Sequence, residues 1–341
     1  MMLSNSWSIA LLICIAATLF LVVLAGSTAV RIILFWDGDS DSERQIDLEG
    51  RTWLAAALVQ TGLAVQMFSL LLLVLAADDF SSMIAGAMCA TGSFLANEYG
   101  NGSLFFKVIN IFLCGFWIVL HRLDLRSEYS PLIRIKFAYL IFLIPLLFFD
   151  AYYLFQYLYR LEPDVISSCC GVIFSSSTLQ ENFLVVSITE NELLAAFYLL
   201  AGVLLLQGFV VSRKQFEDRA HSAMYLLYGI LFLVFFILSL VAITVFFSSY
   251  IYAMPSHNCP FDILRKEYNF IGYPIYFALF GGCFAGMSSG IATLFYRKAG
   301  LGQPVASYRK NGAVTASCLI FLFVMLVSYP VIRYFIEGGE F

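Results

Sequence analysis

The residues in this chain best suited to chemistry are cysteines. Cys169 and Cys170 are adjacent in SSCCGVIFSSS, Cys89 follows Met88, and Cys259 stands two residues after His257 in HNCPFDILRKEYNFIGYP. Adjacent thiols close a strained ring when bonded to each other, so each more naturally reaches another cysteine or a soft cation. Two disulfides joining Cys169 and Cys170 to Cys89 and Cys259 would staple the loops that hold them. The same atoms also suit a soft metal ion, with Cys169, Cys170, Cys259 and His257 as ligands. A third chemistry is a redox relay passing electrons to a quinone, since exposed or strained disulfides are the labile ones. Cys-x-x-Cys spacing is absent. So are the phosphate-loop, zinc-protease, nucleophile-elbow and dinucleotide glycine patterns, and with them the usual soluble catalytic machinery.

A second constellation is ionic. Asp150 stands inside LIPLLFFDAYYLFQY. Ionisable residues at membrane depth generally face the interior of a helix bundle, take a partner and mark a pathway or site. Lys107 is the nearest partner by depth. The competing reading hydrates Asp150 at an interface marked by Tyr152, Tyr153, Tyr157 and Tyr159.

The elements that position these residues are membrane helices. Hydrophobic residues make up 61% and charged residues 12% of the 341, where a soluble protein carries about 25% charged. Eight apolar runs are long enough to cross a bilayer, near 8–35, 52–77, 105–121, 136–159, 192–212, 223–250, 272–296 and 313–336. No Lys or Arg precedes the first and Arg31 follows it, so it reads as a span with its N-terminus outside rather than a cleaved signal. Fourteen of the 19 Lys and Arg residues then fall in cytoplasmic connections, leaving Lys107, Arg160, Arg265, Lys266 and Arg333 outside. Both termini and the segments carrying Cys89, Cys169, Cys170 and Cys259 face outward, toward a compartment where disulfides persist. The acidic run DGDSDSERQIDLEG reads as a solvated loop. The segment after Cys259 reads as a short interfacial helix with Pro260 in its first turn.

FSSMIAGAMCATGSFLANEYG (80–100) and FSSYIYAMPSHNCPFDILRKEYNFIG (247–272) share Phe-Ser-Ser, a cysteine and Glu-Tyr in order, and a further cysteine follows each tyrosine by fifteen residues, at Cys114 and Cys283. Ordered recurrence of this kind marks an internal repeat. The expectation is an all-α polytopic protein of about eight transmembrane helices in two parallel four-helix repeats: residues 1–160, a cysteine-bearing outer connector at 161–191, and 192–341. Parallel repeats occur in transporters. The reading is therefore a non-enzymatic subunit of a transport or efflux assembly in a bacterial inner membrane. Its partners would be the lipid bilayer and other membrane subunits, with no nucleic acid. The alternative is a quinone-linked thiol-disulfide oxidoreductase.

Overall fold

A computed structural model of the chain describes residues 2–37, 42–127, 130–162, 189–213, 219–254 and 258–337. Among them every regular element is helical. Eight helices are long and apolar enough to cross a membrane. Large side chains such as Phe20, Phe142, Leu206 and Phe277 stand exposed on them, as suits helices whose solvent is lipid. The chain divides into two compact units, Met1–Ser167 with Lys298–Pro304, and Ser168–Arg297 with Val305–Phe341.

The first unit is a ring of four long helices: α1 (Ser6–Phe35), α2 (Glu43–Ser81), α4 (Gly100–Asp124) and α5 (Ile133–Tyr159), with the short α3 (Ala90–Leu95) between α2 and α4. Neighbours in the ring are α1 with α2, α2 with α4, α4 with α5 and α5 with α1. Helix α2 starts well before its apolar run. The Ser42 hydroxyl accepts from Gln45 N with Glu43 in the first turn, an N-terminal signature, so the acidic run expected as loop is helical from Glu43 onward. Thr18 Oγ1 donates to Gly62 O at 3.2 Å, and a Cβ on Gly62 would meet Val22 Cγ2 at 3.2 Å, so α1 and α2 approach closely where only glycine fits easily.

The second unit contains α6 (Glu190–Arg213), α7 (Arg219–Ala242, continued through a π-helical turn Ile243–Phe247 to Tyr252), α8 (Gly272–Ala292) and α9 (Gly302–Ile336). Helix α7 packs on α6 and α8. Helix α9 closes the ring: a Cβ on Gly282 of α8 would meet Ile320 Cδ1 at 2.9 Å, and the hydroxyls of Tyr198 and Ser328 lie 2.8 Å apart. Gly286 faces the Phe232 ring and Gly290 faces Gly229, which makes the glycine-rich side of α8 a helix contact. The middle of this unit is aromatic. Phe197 meets Phe235 at 5.4 Å, Phe247 at 5.2 Å and Phe323 at 6.0 Å between centroids.

Each unit has an end carrying a buried cysteine, Cys89 or Cys259, and an opposite end rich in Lys and Arg; these are the cysteine end and the basic end below.

Candidate functional site

The interior of the first unit holds two buried ion pairs. Seven residues of α4, Ser103, Lys107, Asn110, Cys114, Trp117, His121 and Asp124, recur at alternating steps of four and three. That spacing keeps them on one face, and all seven are buried. At 1.5 Å per residue the stripe runs about 31 Å, close to the thickness of a bilayer's hydrocarbon core.

At the cysteine end Lys107 Nζ lies 2.8 Å from Asp150 Oδ2 across the α4–α5 contact, and both side chains are wholly buried. Gln66 of α2 donates its amide to the same Oδ2, and Lys107 also donates to Gln66 Oε1 at 3.4 Å. One carboxylate oxygen thus receives two donors while the other, Oδ1, is buried with no hydrogen-bond partner. One turn along the stripe from Lys107, both side-chain amide atoms of Asn110 are buried and unpartnered; Ser103 Oγ is as well. A buried amide or hydroxyl left bare costs about 1–3 kcal/mol, so a cluster of such atoms beside a charge is a place for something polar to bind. The Asp150 side chain is buried against Lys107 and Gln66 rather than exposed beside Tyr152 and Tyr159.

At the basic end the charges are reversed. Asp124 of α4 receives Lys136 Nζ of α5 at 2.6 Å, and its other oxygen accepts from Leu132 N at 2.8 Å, which ties down the connection between the helices. Lys136 Nζ also lies 3.4 Å from His121 Nδ1. An ammonium group only donates, so Nδ1 accepts and the ring proton belongs on Nε2. Trp117 stacks on the His121 ring at 5.3 Å and donates its indole N–H to Lys136 O at 2.8 Å. Lys136, counted from the sequence as a loop charge, is a buried helix residue.

Between the two ion pairs lies an apolar layer in which Cys114 and Trp117 pack with Phe137, Leu140, Leu143 and Leu147. From Lys107 to His121 the helix rises about 21 Å. The two buried polar clusters stand on opposite sides of this apolar layer.

The cysteines expected to carry chemistry are placed differently. Cys169, Cys170 and His257 lie outside the described residues. Cys89 and Cys259 are buried, and no two described cysteines are at disulfide bonding distance. The interfacial helix expected after Cys259 is absent: the segment forms two 3-10 turns, Asp262–Leu264 and Lys266–Tyr268. Tertiary hydrogen bonds hold it in this form. Tyr252 Oη donates to Cys259 O and accepts from Ile263 N at 3.0 Å, and Tyr276 Oη donates to Pro260 O at 2.5 Å. A Cβ on Gly272 would strike the Ile263 carbonyl at 2.9 Å, so the cap lies directly on the start of α8. Burial pushes the Tyr268 hydroxyl above its usual range, and the Asp262 charge adds to this. An Asp262 carboxylate oxygen comes within 4.8 Å of Cys259 Sγ, while Phe261 N donates to that sulfur at 3.4 Å. Within the second unit this describes a sealed cap.

One more charge was hidden from sequence reasoning. Arg309 of α9 is 5% exposed, and its guanidinium carbon lies 4.8 Å from the Tyr225 ring centroid and 4.4 Å from that of Tyr296. Its Nη1 is buried without a hydrogen-bond partner. Cation–π contacts contribute about 0.5–2 kcal/mol each, against several kcal/mol to desolvate an ion.

No known protein family, curated protein or solved structure matches this chain.

Proposed function

We propose that the chain is a multi-pass membrane protein acting as a proton-coupled transport component, with Asp150 as the proton-loading carboxylate and Lys107 as its counter-charge. The observation that carries this is the half-satisfied Asp150 carboxylate: Oδ2 is held by Lys107 and Gln66, while Oδ1 is buried and bare, as is the amide of Asn110 one turn along α4 from Lys107. A proton arriving on Oδ1 converts the carboxylate to a neutral acid and removes the charge that holds Lys107. The ammonium keeps its own proton and turns toward the oxygens of Gln66 and Asn110. This two-state exchange gives a proton a means of moving helix α4 against α5. A metal cation is a poorer occupant, because the ammonium group would repel it at close range.

The apolar layer at Cys114 and Trp117 separates this site from the Asp124–Lys136–His121 cluster, as alternating access requires. A role in stability alone is a weaker explanation, since apolar residues of similar volume generally stabilise a buried position at least as well as an ion pair does. The test is proton flux into proteoliposomes under an imposed pH gradient. Asp150→Asn keeps the shape and the Oδ1 acceptor but cannot ionise, and it is expected to lower flux at least tenfold, toward the level of empty liposomes, on the scale of an essential proton carrier. Flux unchanged in Asp150→Asn would refute the assignment.

We place the chain in a bacterial inner membrane with both termini and the cysteine ends outside. The positive-inside bias supports this even after buried residues are discounted. Without Lys136 and Arg309 twelve basic residues remain on the inner side, against four outside once Lys107 is removed. Cysteines introduced at Met254 and Arg297, both exposed, should differ in intact cells. Against the wild-type background an impermeant thiol reagent labels the first and spares the second, and the reverse pattern contradicts the orientation.

A further inference from the structure

The charge at the basic end of the second unit has an asymmetry that the transport reading does not use. Arg309 is as buried as a core leucine, yet among the described residues no carboxylate pairs with it and Nη1 has no hydrogen-bond partner. Its guanidinium is held between two aromatic faces, Tyr225 from α7 and Tyr296 at the end of α8. The Tyr225 hydroxyl donates to Val211 O at 3.4 Å, which fixes one wall. One turn further along α9, a Cβ on Gly312 would come within 2.1 Å of Ser289 Oγ, so the backbone carrying Arg309 is pressed against α8 with no room to withdraw. The exposed Arg297 and Lys310 stand at the same end of the unit. An arginine that is buried, immobilised and without a carboxylate partner among the described residues is a place for an anion to bind. Its planar fork matches the paired oxygens of a phosphate, and the buried Nη1 is a donor without an acceptor.

We infer that Arg309, clamped between Tyr225 and Tyr296, is a binding site for the phosphate group of an anionic ligand, supplied by a lipid headgroup or by a free phosphate. The probes are phosphatidylglycerol, phosphatidylcholine and inorganic phosphate, each added to delipidated protein in a neutral detergent while binding is followed by native mass spectrometry and thermal unfolding. Phosphatidylglycerol that binds and raises the unfolding temperature, with phosphatidylcholine weaker, assigns the site to a lipid. Saturable stabilisation by inorganic phosphate alone assigns it to a soluble ligand.

In either case Arg309→Met weakens binding about thirtyfold, as loss of one partner of a buried charge pair does, while Lys310→Met on the exposed surface changes it by no more than about fivefold. Because the unliganded charge is itself unfavourable, Arg309→Met should be at least as stable as the wild type in neutral detergent with no anion added. Two results would overturn the inference. One is equal binding of the probes, or none, by wild type and Arg309→Met. The other is failure of Arg309→Met to fold without ligand, which would make the arginine a packing element.

Discussion

Lys107→Met is expected to destabilise the protein by about 3–5 kcal/mol, the range for removing one partner of a buried ion pair. The loss comes from what is left behind: a wholly buried carboxyl group without its counter-charge, with Gln66 as its remaining donor. Removing the whole cluster should be far milder. In Gln66→Leu/Lys107→Met/Asp150→Leu no buried charge survives at the site and the Gln66 amide goes with it, while the bare amide of Asn110 is the same as in the wild type, and stability should return to within about 1–2 kcal/mol of the wild type. Leaving Gln66 in place would retain about 1–3 kcal/mol of the cost, because its bare amide stays buried. Denaturant or thermal unfolding of the purified variants measures all of these. A triple variant no more stable than Lys107→Met would mean that the site is needed for packing.

The second large effect is expected at the opposite end. Asp124→Ala removes the acceptor of Lys136 Nζ and of Leu132 N together, leaving a buried ammonium with only the 3.4 Å contact to His121. The cost should again be about 3–5 kcal/mol, with the connection from α4 to α5 loosened in addition. Hydrogen exchange at Leu132 and Ile133 separates the two effects, since a lost tether speeds exchange there before the global transition. Asp124→Asn keeps the acceptor for Leu132 N and should spare that local protection while still losing the charge. Equal exchange in both variants would show that the carboxylate does not hold the loop.

Much of the fold was legible because membrane helices are specified by crude signals. All eight helices long and apolar enough to cross a membrane follow from runs of apolar residues, and the errors fall at the ends. Glu43 and Gly302 begin helices well outside the apolar windows; at Glu43 the Ser42 cap, which a hydropathy run does not register, sets the start. The relation between Asp150 and Lys107 could be suspected from depth alone. Gln66 and Asn110 could not, being common polar residues in apolar sequence, although the four-and-three spacing from Ser103 to Asp124 was present as a signal and would have found the stripe. Lys136 and Arg309 were misread for a physical reason: Lys136 is the first residue of its apolar run and Arg309 lies in a helix that starts before its run, and a charge there resembles a loop charge until packing is known. The segment after Cys259 failed differently. Its helical pattern was real but local, and the hydroxyls of Tyr252 and Tyr276 override it. The expected duplication gains little from the two helix rings, since any up-and-down bundle has that order of neighbours.

The most direct test of a proton-loading Asp150 is flux through the Gln66→Leu/Lys107→Met/Asp150→Leu protein in liposomes, because that variant is expected to fold and carries no ionisable group at the site. The account predicts proton entry indistinguishable from that of empty liposomes, beside a wild-type protein that moves protons under the same pH gradient. A folded triple variant that moves protons at the wild-type rate would contradict it.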